Sequence, residues 1–191
     1  MRVFIAVIIL IFGFQSFTKA DDISDFQIEG ISIGDSLLDY FRKSEINNNL
    51  ATYYKNNEYS SLELYKDEGS FELKQYDHLV ASFKTIDSKF KILGLSGVTW
   101  YQKTINQCYQ DMKGVINDIS QLIINISPTK IKTIDFVFGK NTYSRFDFNS
   151  GHAITVQCTD YDSKHENYWD HLRIAIDTDE WMTWVDIKAY N

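Results

Sequence analysis

The feature that most constrains the fold of this 191-residue chain is a long amphipathic helix predicted over residues 104–126. Its apolar residues recur at intervals of three and four, and they are Ile105, Cys108, Met112, Val115, Ile119, Leu122 and Ile126. Polar and charged residues occupy the other side, so the helix must bury one face against a second layer. Thr104 is placed to cap its start, and Pro128 follows as a residue that cannot continue it.

On both sides of this helix the apolar residues alternate with a period of two, which is typical of strands buried on one face. The predicted strands cover residues 25–33, 60–66, 77–86, 90–101, 134–139, 144–148, 152–159 and 172–176, and two further helices are predicted at residues 36–50 and 179–190. Because the strands come in runs, we predict an α+β fold, a mostly antiparallel sheet with two to three helices packed on one face. Each half is a helix followed by strands, which indicates a loose two-fold repeat.

Residues 1–20 have the pattern of a secretory signal peptide. Arg2 precedes an apolar run over residues 3–14, which is shorter than the roughly 20 residues that cross a bilayer. Small residues at Thr18 and Ala20 predict cleavage after Ala20, and an uncleaved N-terminal anchor is the alternative. No later segment has the apolar pattern of a membrane span. We therefore expect residues 21–191 to form a single α+β domain that is periplasmic or secreted and not integral to the membrane.

The chain is acidic, with a formal net charge of −7. Cleavage would remove Arg2 and Lys19 but no acidic residue, which leaves −9. This balance argues against a nucleic-acid partner and against binding to anionic lipid by charge alone. The expected partner is an envelope protein or a small ligand.

The two cysteines, Cys108 and Cys158, are predicted to form a disulfide. Cys108 lies on the apolar stripe of the long helix, and Cys158 shares one strand face with Ile154 and Val156, so both sulfurs point into the core. The expected compartment is oxidising, which allows the bond to form, and two buried free thiols are the alternative. The two cysteines and four histidines show no metal-site spacing, so we predict no metal and no cofactor.

The block Gly34-Asp35-Ser36-Leu37 resembles the one that carries the nucleophilic serine in the GDSL (SGNH) hydrolases. That family also has an Asp-x-x-His block near its C-terminus, and this chain has Asp162-Ser163-Lys164-His165. The resemblance implies a small serine esterase in which Ser36 is the nucleophile, His165 the base and Asp162 the carboxylate that orients the imidazole.

Three observations favour a structural role for Ser36. The Gly-x-Asn-Asp block that supplies oxyanion donors in that family is missing. The family has a doubly wound parallel sheet, whereas the alternating strands here predict an antiparallel one. Ser36 and Asp39 are spaced much as in a capping box at a helix start. We therefore predict that Ser36 caps a helix, and the esterase remains the alternative.

The most acidic stretch, residues 159–180, also contains several aromatic residues. Its carboxylates could bind a hard cation such as Ca²⁺, but their spacing matches no calcium loop, and a solvated acidic connection is predicted. Tyr161, Tyr168 and Trp169 from this stretch form a possible binding surface, because exposed aromatic side chains dominate protein interfaces.

Three segments, SDFQIEGISIGDSLLDYF, INQCYQDMKG and LRIAIDTDEWMTW, resemble a family of small exported bacterial proteins that has no established activity. That resemblance implies export and a single α+β domain. In its order of elements the chain also resembles small envelope modules of the BamE type. The sequence therefore predicts a non-enzymatic binding or adaptor domain of the cell envelope. An inhibitor of a secreted enzyme is a further alternative.

Overall fold

The computed structural model describes residues 22–51, 54, 57–68, 71–102, 104–123, 125–162, 164 and 168–189. The predicted signal peptide, residues 1–20, and His165 lie outside these residues. The helices are α1 (Lys43–Asn48), α2 (Ile105–Leu122) and α3 (Asp179–Ile187), with short 3₁₀ turns at Ile23–Asp25 and Leu37–Asp39. The strands are β1 (Gln27–Ile28), β2 (Ile31–Ser32), β3 (Leu50–Ala51), β4 (Tyr59–Tyr65), β5 (His78–Lys84), β6 (Gly94–Trp100), β7 (Lys132–Phe136), β8 (Gly139–Asp147), β9 (Ala153–Tyr161) and β10 (His171–Asp177).

Eight of these strands form one antiparallel sheet in the order β3-β4-β5-β6-β10-β9-β8-β7, and β1 pairs only with β2. The predicted α+β class with an antiparallel sheet is therefore confirmed. The first half supplies α1 and β3 to β6, and the second supplies α2 and β7 to β10. The halves meet where β6 pairs with β10, and the strand order is symmetric about that seam. This arrangement agrees with the predicted two-fold repeat.

The main core lies between one face of the sheet and α2, which packs on β9 and β10. Cys108, Met112 and Ile119 of α2 are buried against the sheet. The predicted disulfide is confirmed, since Cys108 and Cys158 are bonded with their Cα atoms 6.0 Å apart. Both sulfurs point into the core, as the two different periodicities of helix and strand predicted.

The third helix packs on the opposite face from α2. Leu95 of β6 points into the main core, so its neighbour Gly94 points the other way. A Cβ atom at Gly94 would lie 2.5 Å from the Trp181 indole nitrogen of α3. The predicted packing of two to three helices on one face thus holds for α2 and for α1, whose Ile46 lies in the main core. The third helix, α3, covers one end of the other face. There Trp181 and Trp184 pack on Tyr59.

Residues 25–50 differ most from the predictions. The predicted strand over residues 25–33 is a hairpin of β1 and β2, whose turn has Glu29 and Gly30 at φ of 55° and 81°. The predicted helix over residues 36–50 is divided, because Arg42 has extended backbone between the 3₁₀ turn and α1. The Arg42 N–H donates to the Glu45 carboxylate at 2.8 Å. This bond caps the first turn of α1, so α1 begins as a separate helix.

The long helix is shorter than predicted, ending at Leu122 rather than Ile126. Thr104 does not cap it through its side chain, since its hydroxyl donates to the Tyr101 carbonyl instead. No helix among the described residues is long and apolar enough to cross a membrane.

Candidate binding face of the sheet

The sheet face opposite α2 is only partly covered, because α3 lies over one end of it. The floor of the uncovered part is formed by small side chains of β5 and β6, including Ser82, Gly94 and Ser96. These residues alternate with core residues along each strand, so both faces of the same strands are used. Trp181 closes one end of this depression and Trp100 stands at the other. We call this depression, which has a volume of about 440 Å³, the trough.

A continuous series of rings crosses this face at the end remote from α3. We call it the aromatic row, and its members are Tyr65, His78, Trp100, His171, Trp169, Tyr161, Tyr168, Phe136 and Phe138. The row crosses the sheet from β4 to β7, so strand pairing brings the members that are distant in sequence together.

The ring contacts of the aromatic row are of two kinds, some stacked face to face and the others edge to face or tilted. Tyr65 and His78 lie 4.2 Å apart with an interplanar angle of 1°, and His78 and Trp100 lie 6.1 Å apart at 8°. At the other end, Tyr161 and Tyr168 stack at 5.0 Å. Rings packed in this way cover one another's faces and leave edges for contacts with other molecules.

The three residues predicted as a binding surface come together in this row. Tyr161 stacks on Tyr168, and Trp169 contacts Trp100 edge to face at 6.2 Å. Tyr168 and Trp169 remain 47% and 45% exposed. Exposed Phe138 extends the same apolar surface. Trp100 and Phe138 were missed in the sequence, because only the register of β6, β10, β9 and β8 brings them to Tyr161 and Trp169.

Asp177 is the most unusual charged group of the trough. It lies on β10 beside Gly94 and is only 8% exposed, yet its Oδ1 has no hydrogen-bond partner within the described residues. The Trp181 indole is near enough to the Asp177 carboxylate to lower its pKa as a hydrogen-bond donor, but it makes no hydrogen bond of normal geometry to Oδ1. Burial raises the pKa of Asp177 to about 6, although Arg173, Trp181 and Arg145 all act to lower it.

A second buried polar pair lies at the other end of the trough. Glu63 Oε1 and His78 Nε2 are 3.6 Å apart, beyond normal hydrogen-bond distance, and neither atom has a hydrogen-bond partner within the described residues. Burial lowers the pKa of His78 to about 4 and raises the pKa of Glu63. The imidazole is therefore neutral at pH 7, because burial and, to a smaller extent, the nearby His171 both lower its pKa. Together with Asp177 Oδ1, these are the buried side-chain polar atoms that lack partners in the described structure, and all of them line the trough.

Ser36 has the capping role predicted for it. Its hydroxyl oxygen accepts the Leu38 N–H at 3.2 Å and donates to the Lys89 carbonyl at 2.6 Å. The second bond joins it to the chain before β6, so Ser36 also fixes the 3₁₀ turn to the sheet.

The antiparallel sheet is not the doubly wound parallel sheet of the GDSL hydrolases. Asp162 is exposed, and its N–H donates to the Phe138 carbonyl at 2.9 Å. Because His165 lies outside the described residues, the alternative triad is not tested by this geometry.

The acidic stretch 159–180 is not simply a solvated connection. Asp170 is buried and accepts the Tyr161 N–H at 3.0 Å, which fixes the start of the β9–β10 connection. Asp177 is buried in the trough. Within the part of the chain that the structure describes, no group of three or more His, Cys, Asp or Glu side chains could hold a metal ion.

Comparisons with known proteins add no assignment: no family model matches the chain, and no curated protein or solved structure matches it. The resemblances to exported bacterial proteins and to BamE-type modules therefore remain predictions.

Proposed function

We propose that this chain is an exported, non-enzymatic binding domain that docks a protein partner on the aromatic row. The observation that supports this proposal is the concentration of exposed rings at one end of one sheet face. Large exposed apolar clusters rimmed by polar residues are typical of interaction surfaces. Tyrosine and tryptophan are also the residues most enriched among the energetic anchors of protein interfaces.

The aromatic row is well suited to binding because most of its rings stand on paired strands. Trp100 and Tyr161 project from central strands, and their ring contacts limit their rotamers. A partner that docks on such side chains loses little conformational entropy at the interface, so more of the contact energy appears as affinity.

A protein partner fits this surface better than a glycan does. Flat sugar faces need an open ring face to stack on, whereas the faces of Tyr65, His78 and Trp100 are directed at one another. Ring edges and the exposed Trp169 suit the irregular apolar surface of a protein instead.

Export and an adaptor role complete the proposal. The signal-like residues 1–20 support export, and the disulfide supports an oxidising compartment. N-terminal sequencing of the protein recovered from fractionated cells tests this part, with Asp21 expected as the first residue.

Site-specific photo-crosslinking of the mature chain in cells tests the docking site. A benzophenone side chain at position 168 should give a discrete adduct. The same group at position 86 should give none, because Ile86 is 90% exposed but lies at the opposite end of the sheet. Trp169→Ala should abolish the adduct at position 168, and the matched Ile86→Ala should leave it unchanged.

The identity of the adduct decides between the remaining interpretations. An envelope protein supports the adaptor, and a secreted enzyme whose activity falls on binding supports the inhibitor alternative. A crosslinked homodimer would show that the occupant is a second copy, and equal adducts from positions 168 and 86 would show no specific site. Either result would overturn the proposal.

A further inference from the structure

We infer that the partner inserts a lysine or arginine side chain into the trough, where its cationic head pairs with the Asp177 carboxylate. This inference rests on the proposed docking of a protein on the same sheet face. It adds a chemical specificity that the aromatic row alone does not give.

The first argument is the state of Asp177 itself. A carboxylate that is 8% exposed normally has its oxygens paired, because an unpaired buried charge is costly. Oδ1 of Asp177 has no hydrogen-bond partner among the described residues and almost no solvent contact, and the Asp177 side chain lines the trough. A cationic donor that enters the trough is the group that would pair with this carboxylate.

The second argument is the composition of the walls beside Asp177. Trp181 and Tyr54 line the same end of the trough and contact each other edge to face at 5.8 Å. An ammonium or guanidinium group is attracted by aromatic rings as well as by a carboxylate. Gly94 allows the Trp181 indole and the Asp177 carboxylate to lie directly over the strand, since any side chain there would meet both.

The third argument is that the protein's own cations do not neutralise this carboxylate. Arg173 lies on the same strand and lines the trough, but it forms no ion pair with Asp177 in the described structure. Arg145 is engaged by Asp147 at 2.6 Å. Glu63 lies at the far end of the trough, so two carboxyl groups line it against the one guanidinium group of Arg173, and the lining stays net acidic.

The size of the trough favours a side chain over a small ion. Its volume of about 440 Å³ is many times the roughly 30 Å³ that one water molecule occupies, and the floor is apolar or weakly polar. A long aliphatic stem can lie over Ser96 and Val98 while its charged head reaches Asp177.

Titration with capped tripeptides tests the inference without the natural partner. ¹⁵N-labelled mature protein at pH 8 is titrated with acetyl-Gly-Lys-Gly-amide, with the arginine peptide and with the norleucine peptide as the uncharged control. We expect saturable shifts of the Gly94 amide and the Trp181 indole signals with the lysine or the arginine peptide. The norleucine peptide should give at least tenfold weaker binding.

Asp177→Asn keeps the shape of the side chain and removes its charge, so it should weaken binding of the basic peptide at least tenfold. Asp186→Asn removes an exposed charge from α3 and should leave binding unchanged. Equal binding of the three peptides, or full affinity in Asp177→Asn, would overturn the inference. If crosslinking at position 168 persists in that case, the inference of a basic side chain in the trough is wrong, while the proposed docking on the aromatic row stands. If the crosslink is absent as well, the proposed function fails with it.

Discussion

Asp177→Asn should stabilise the free protein at neutral and alkaline pH. Burial raises the pKa of Asp177 from the ordinary 3.8 to about 6, so the folded state holds this proton more tightly than the unfolded chain does. Stability from this group is therefore present at low pH and is lost as the pH rises from about 4 through 6. A difference of about two pKa units corresponds to about 3 kcal/mol at 1.36 kcal/mol per unit. Asparagine carries no charge at any pH and avoids this loss.

Urea unfolding followed by tryptophan fluorescence at pH 4, 6 and 8 measures the effect. The variant should gain about 3 kcal/mol over the wild type at pH 8, about 2.5 kcal/mol at pH 6 and about 0.5 kcal/mol at pH 4. Every other titrating group is common to both proteins, so the difference isolates position 177. Asp186→Asn serves as the exposed control and should show no such pH-dependent gain. A variant that is less stable than the wild type at pH 8, or a gain that is the same at every pH, would refute the account of Asp177 as an unpaired buried charge.

Three further predictions concern the disulfide, His78 and Ser36. Replacing both cysteines with alanine removes a link across a sequence separation of 50 and should cost about 4 kcal/mol relative to the oxidised wild type, measured by urea unfolding, and the reduced wild type should lose a similar amount. Because burial lowers the pKa of His78 to about 4, its contribution to stability is present above pH 6.5 and is lost on acidification, by up to about 3 kcal/mol. His78→Gln should therefore lose less stability than the wild type between pH 7 and pH 4.5 in thermal melts, and identical slopes would contradict this. Ser36→Ala should cost about 1 kcal/mol through loss of the cap. A fluorophosphonate probe should label neither protein, whereas labelling of the wild type that disappears in Ser36→Ala would establish the esterase.

The elements that follow from local periodicity alone could be predicted from the sequence. The spacing of Cys108 and Met112 defined α2, and the alternation of Val156 and Cys158 defined the buried face of β9, so the disulfide followed from two local patterns. Residues 25–50 were harder to predict because their conformation depends on a distant partner. Ser36 forms a β-bridge with Lys91, a contact that local pattern does not contain.

The candidate site could be predicted only in part for the same reason. Tyr161, Tyr168 and Trp169 are close in sequence, and their aromatic character was visible. His78 and Trp100 join them only through the pairing of β5, β6 and β10. The burial of Asp177 depends on α3 folding back over the sheet. Asp177 lies in an acidic stretch of the sequence, and nothing in that stretch indicates that this one carboxylate is buried.

The disulfide lies wholly within the second half of the chain and leaves the first half without a covalent tie. Once the protein is oxidised, α2 and β9 cannot separate, while α1 and β3 to β5 are retained only by noncovalent contacts. A protease or a pulling force acting on this molecule would therefore open it from its N-terminal side. Tyr65 and His78, which stand on that side, would leave the aromatic row first, and the cross-linked remainder would keep Tyr161, Tyr168 and Trp169.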